Sequence, residues 1–139
     1  MKGVSAIRAF IIASCLFVSH MVAAQDGRIE YGRVEELKDV KTFFIDAGED
    51  LDLRNIIRDI LVRELGVTIA DRPEDSEHVI VFRWSDSGPV WRAQAIVAKR
   101  VGPDRLRVLS NHRSSETELN DLADEYAKWL VKQMKRFKS

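Results

Sequence analysis

The chain holds one cysteine in 139 residues, Cys15, near its amino end. No intrachain disulfide can form, and neither a CxxC redox pair nor a cysteine-built zinc site exists. Histidine is almost as scarce, at positions 20, 78 and 112. His78 and His112 fall at the start of one predicted strand and the end of another, in no metal-ligand spacing, and read as exposed strand-end residues. There is no serine nucleophile elbow and no glycine loop of the phosphate-cradling kind. Net charge is absent too: 22 basic residues balance 22 acidic ones. No global field therefore draws in nucleic acid. These absences exclude paired-cysteine chemistry and bulk polyanion binding, and no catalytic residue, metal or cofactor is assigned.

Long apolar runs are missing as well. The longest, Ala9 to Val22, has 14 residues, short of the roughly 20 that span a bilayer. Lys2 and Arg8 precede or open it, and Val22-Ala23-Ala24 follows. This is the layout of a secretory signal over residues 1–24, cleaved before Gln25. One alternative is a lipobox at Ile12-Ala13-Ser14-Cys15, which would make the protein a lipoprotein acylated at Cys15. Another is an uncleaved anchor. Cleavage after Ala24 leaves 115 residues, with 20 basic side chains against 22 acidic ones and a net charge of −2. That length suits one domain with its own core. A cysteine-free exported domain fits a periplasmic or secreted location, as a monomer without a membrane span.

Residues 25–39 read as a loose lead-in, with a short turn at Glu35-Glu36-Leu37, and residues 40–139 as a single α+β domain. Val40–Ala47 has the β-branched and aromatic content of a strand. Leu53, Ile56, Ile57, Ile60, Leu61 and Leu65 recur at three- and four-residue spacing, which predicts a helix over 51–65. Asp50 or Asp52 is placed to cap it and Gly66 to close it. A short strand, Val67–Ile69, follows. Three strands then run from Val79 to Arg113, joined by Ser85–Pro89 and Gly102–Asp104, links short enough to force antiparallel neighbours. Residues 116–137 form the closing helix, with a capping box predicted from Ser115 and Glu118. Its acidic first half and basic second half complement the helix dipole. That arrangement also accounts for the basic tail. The expected fold is a β-α-β-β-β-β-α two-layer sandwich, a mixed sheet with both helices on one face.

Strand alternation sorts the side chains. Ile80, Phe82 and Trp84, then Trp91, Ala93, Ala95 and Val97, then Leu106 and Val108, form the predicted core face. Arg83, Arg92, Arg105 and Arg107 then share the opposite face, with Arg100 near its edge and Val79, Val81, Ile96 and Leu109 among them. That face is expected to stay open, its arginine stems shielding the valines or its guanidinium forks binding an anionic partner. Trp84 and Trp91 flank the hairpin as core residues. Asp46, Asp50, Asp52, Asp71 and Asp75 gather near the ends of two predicted parallel strands. A calcium site or a carboxylate pair for acid–base hydrolysis is the alternative there, against roles as helix caps and turn residues.

The passage "VTIADRPEDSEHVIVFRW", within this order of elements behind a signal, is similar to small bacterial envelope domains. These include the LptE-type lipopolysaccharide-assembly lipoproteins and the amino-terminal domain of TolB. The resemblance covers residues 40–137 in topology and carries over no functional motif. It implies a non-catalytic binding or assembly role toward an envelope protein, lipid or polysaccharide.

Overall fold

The computed structural model describes residues 28–138. The signal segment and Cys15 lie outside the described residues. In chain order come β1 (Ile29–Tyr31), a 3-10 turn (Val34–Leu37), β2 (Thr42–Asp46), α1 (Leu51–Leu65) and β3 (Thr68–Ile69). A second 3-10 turn (Pro73–Asp75), β4 (His78–Asp86), β5 (Trp91–Gly102), β6 (Arg105–Glu116) and α2 (Leu119–Phe137) complete it. The strands form one six-stranded sheet in the order β1-β6-β5-β4-β2-β3. β2 runs parallel to β3 and β4, and β1 parallel to β6, while β4, β5 and β6 form an antiparallel meander. The architecture is the expected α+β sandwich on a mixed sheet. Among the described residues no helix is long and apolar enough to cross a membrane.

Local chemistry sets the first helix. The Asp50 carboxylate accepts from the Leu53 N–H at 3.0 Å, and Gly66 takes the left-handed conformation (φ 67°) that ends the last turn. The closing helix starts later than its sequence suggests. Ser115 caps nothing, because β6 continues to Glu116, with Ser115 paired to Arg92 and Glu116 to Trp91. Each residue added to the hairpin satisfies backbone groups on two strands, and that outcompetes a single side-chain cap. Glu118 becomes the N-cap residue, without a side-chain hydrogen bond.

Both helices bury their apolar stripes on one face of the sheet. Leu53, Ile57, Ile60 and Leu61 of α1 and Leu122, Ala123, Tyr126, Ala127, Leu130, Val131 and Met134 of α2 are buried. They meet Phe43, Ile45, Ile80, Phe82, Ala93, Ala95 and Val97 from the strands. Trp84 and Trp91 are half-buried against this cluster. The expected loose lead-in contains β1, and its turn delivers Leu37, completely buried, to the same core.

The opposite face differs from its expectation. Phe44, Ala70, Val79, Val81, Ile96, Ala98, Leu106 and Val108 form a second buried cluster there, with Ile29 packed on it. The apolar part of this face is therefore buried rather than left to solvent. The link from β3 to β4 brings in Ala70 and is held by Arg100, whose Nη2 donates to the carbonyls of Pro73 and Ser76.

Leu106 and Val108 were expected on the helix side and lie on the other. The register shifts between Val97 and Ala98: Val97 faces Ser110 while Ala98 faces Val108, so Leu109 is an extra residue in β6. Such a bulge inverts the facing of everything before it. Leu109 joins the helix-side core, and Arg105 and Arg107 move to that side with it.

Candidate functional site

The bulge divides the four arginines singled out by strand alternation. Arg107 bridges two carboxylates: Nη1 to Glu30 at 2.6 Å, and Nε and Nη2 to Glu36, each at 2.9 Å. Arg105 donates to Glu30 at 2.6 Å. Parallel pairing of β1 with β6 sets Glu30 directly beside Arg107. Gly32 lets the chain then turn across the guanidinium, since a Cβ there would stand 2.6 Å from Arg107 Nε and 2.7 Å from Glu36 Oε2. Arg105 and Arg107 thus fasten the amino-terminal segment to the sheet.

The electrostatics of that fastening are testable. Arg107 first, then the Arg33 N–H, holds the Glu36 carboxyl down at about 2 against an ordinary 4.5. Glu30 is lowered in the same direction, by Arg107 and then Arg105. A carboxylate with a depressed folded-state pKa adds stability above its unfolded value and loses it as the pH falls through the folded one. The wild type should therefore exceed Glu36→Gln in stability near neutral pH. The difference should close as the pH falls from 4.5 toward about 2, and shrink in about 1 M salt because the pair is exposed. Chemical denaturation of both proteins across that range checks this. A constant difference down to the acid limit would show that Glu36 acts through packing instead.

Arg83 stays on the face opposite the helices, but it too is engaged. Its Nη2 lies 3.2 Å from Asp46 Oδ1, and Nη1 donates to the carbonyls of Asp46 (3.0 Å) and Phe82 (2.8 Å). Asp46 is 3 % exposed and also accepts from the Gly48 N–H at 3.0 Å. β2 and β4 run parallel with Asp46 beside Val81, so a side chain two residues on reaches back to it. The expected acidic edge is only partly assembled. Asp50 caps α1, Asp75 pairs with Arg72 at 3.1 Å, and Asp71 lines a depression of about 360 Å³ with Asp46, Glu49 and Arg54. Among the described residues, no three His, Cys, Asp or Glu side chains are grouped to hold a metal ion.

Arg92 keeps the predicted position and is exposed. It gains a neighbour that alternation alone did not single out, Arg113. In the antiparallel register Arg83, Gln94 and Arg113 form one row across β4, β5 and β6, and Arg92 stands one step along β5 between Ser85 and Ser115. These residues, with Trp84, Ala93 and Ser114, line a depression of about 390 Å³. Gln94 Nε2 donates to Asn111 Oδ1 on the neighbouring strand at 3.0 Å. Among the described residues neither Arg92 nor Arg113 pairs with a carboxylate; Asp46 answers Arg83 alone. Arg113 was legible in the sequence, because the expected third strand reaches it and alternation sets it on the same face as Asn111.

Two other groupings were not foreseen. His112 is half-buried, not an exposed strand end. Its Nε2 lies 3.1 Å from both oxygens of Glu125, and its ring stacks on Trp129 with centroids 4.3 Å apart. The contact ties β6 to α2. A wider depression, about 500 Å³, is lined by Glu36, Asp39, Lys41, Asp75, Glu77, His78 and Lys99 among others. Four carboxylates, Glu36, Asp39, Asp75 and Glu77, meet two lysines there, so the depression is acidic on balance. Burial first, then Lys99, lowers the His78 pKa from its ordinary 6.5.

No protein-family model matches the chain, and no curated protein matches it. Among solved structures it is similar to the Protein Y N-terminal domain of Thermus thermophilus, with 21 % identity and a TM-score of 0.42 over 71 % of this chain and 98 % of that one. It is also similar to a minor lipoprotein of Acinetobacter baumannii, with 12 % identity and a TM-score of 0.39 over 69 % and 91 %. Both are weak resemblances at the level of fold.

Proposed function

We propose that the chain is an exported, non-catalytic binding or assembly module that holds an anionic envelope component at Arg92 and Arg113, beside Arg83. The charge balance of the depression carries this reading. Three guanidiniums line it, and a single carboxylate answers them, on Arg83. Arginine forks match phosphate and carboxylate oxygens in pairs. Two such forks on adjacent antiparallel strands, in a stretch whose pairing runs unbroken from Trp91 to Val97, need little ordering to grip an anion. The Gln94 amide adds a polar group to its lining. The amino-terminal layout over residues 1–24 supports export, and the engagement of Asp46 by Arg83 and Gly48 argues against acid–base work at that edge.

Cosedimentation with phosphatidylglycerol vesicles and retention on immobilised lipopolysaccharide and polygalacturonate test the reading. Binding to at least one of these should weaken as salt rises and should fall about tenfold in Arg92→Ala/Arg113→Ala, equivalent to about 1.4 kcal/mol. The melting temperature should not change, since both side chains are exposed. Equal binding by the variant would overturn the assignment.

A further inference from the structure

β6 is twelve residues long, and β5 lines one of its sides through Glu116. On the other side β1 pairs only with Leu106, Arg107 and Val108. Among the described residues no strand lies against Ser110–Glu116 on that side. This run matches or exceeds a typical strand of about 5–6 residues. It leaves a row of outward N–H and C=O groups able to template another strand. Nothing within the run interrupts it: the bulge falls before it, the register with β5 is unbroken, and it contains no proline.

Charge selects what can lie there. A second copy pairing edge to edge about a two-fold axis at the middle of the run would set Arg113 directly against Arg113, and like charges so opposed are destabilising. An acidic strand has the opposite balance. Laid about 4.8 Å from β6, it turns alternate side chains onto the face of Arg113, with Arg92 diagonally behind across the β5–β6 pair. We infer that the free edge Ser110–Glu116 is a strand-addition site for an extended acidic segment of a partner protein, whose alternate carboxylates meet Arg113 and Arg92. This rests on the anionic-ligand reading above and narrows the ligand to a polypeptide. Main-chain bonds to the edge supply the affinity, and the arginine row supplies the selection.

The test is fluorescence anisotropy of the purified protein with a short fluorescein-labelled peptide of alternating threonine and glutamate. A threonine–lysine peptide and the acidic peptide N-methylated at alternate backbone nitrogens serve as comparators. The acidic peptide should bind and the basic one should not. N-methylation should weaken binding about tenfold or more, because it removes several main-chain hydrogen bonds. Arg113→Glu should weaken it comparably without altering the melting temperature. Absence of binding by the acidic peptide, or equal binding of its N-methylated form, would overturn strand addition. If the peptide fails while phosphatidylglycerol vesicles bind through Arg92 and Arg113, strand addition falls and the anionic-ligand reading stands. If neither binds, both fall.

Discussion

Arg83→Ala should destabilise the protein by about 3–5 kcal/mol, the range for removing one partner of a buried ion pair. The size follows from what is left behind. Asp46 is 3 % exposed, its Oδ2 is buried without a hydrogen-bond partner, and its Oδ1 would keep only the Gly48 N–H. An ionised carboxylate in that setting has lost both water and counter-charge. Asp46→Asn should cost less, since Arg83 still donates to the carbonyls of Asp46 and Phe82 and is itself 21 % exposed. Replacing both at once, as Asp46→Leu with Arg83→Met, should recover much of the loss, because two apolar groups carry no desolvation penalty. Equilibrium urea denaturation of Asp46→Leu, Arg83→Met and the double variant closes the cycle. Costs for the single variants that simply add would show that the pair is solvated and uncoupled. The result also bears on binding experiments: Arg83 is unsuitable as a ligand-binding probe, because its removal disturbs the sheet. Arg107, tied to Glu30 and Glu36, is unsuitable for the same reason.

Leu37→Ala should cost about 2–5 kcal/mol, as for a leucine removed from a packed interior. Leu37 is wholly buried although it sits in a four-residue 3-10 turn, and the turn touches both α2 and β6. Three independent holds keep it there. β1 pairs with β6, Arg107 clamps Glu36, and Gly32 lets the backbone pass close to that clamp. The surrounding core therefore has little freedom to collapse into the vacated space, which puts the cost toward the upper part of the range. Each kcal/mol should lower the melting temperature by about 4 °C or more in a domain of this size. Glu35→Ala, two residues earlier in the same turn and exposed, should change stability by less than about 0.5 kcal/mol. Calorimetry of both variants separates the cases. A loss under about 1 kcal/mol for Leu37→Ala would mean that the segment before residue 40 contributes little to the fold.

The contrast between these two sites shows where reading the chain succeeds. Periods of 3.6 and 2 are local signals, and they placed α1, α2, the hairpin links and the class of fold from apolar spacing alone. The cap at Asp50 and the stop at Gly66 are equally local, because each depends on atoms within four residues. Arg92 was likewise legible, since its facing follows from unbroken alternation along β5.

What tertiary structure decided has a common character: every instance depends on a pairing between residues far apart in the chain. The extra residue Leu109 appears only when β6 is laid against β5, and it sends Arg105 and Arg107 to the helix side. Whether Arg83 is free depends on Asp46, thirty-seven residues earlier, and whether Arg107 is free depends on Glu36, seventy-one earlier. β1 is only three residues long, too short to form a strand alone, and exists as one because β6 offers it an edge. Alternation tells which way a side chain points only until a bulge intervenes, and it says nothing of the charge waiting across the sheet. The chain by itself determined an α+β domain with arginine-bearing strands; three-dimensional pairing determined which strand guanidiniums, among the described residues, are spent on the fold and which two, Arg92 and Arg113, meet no carboxylate.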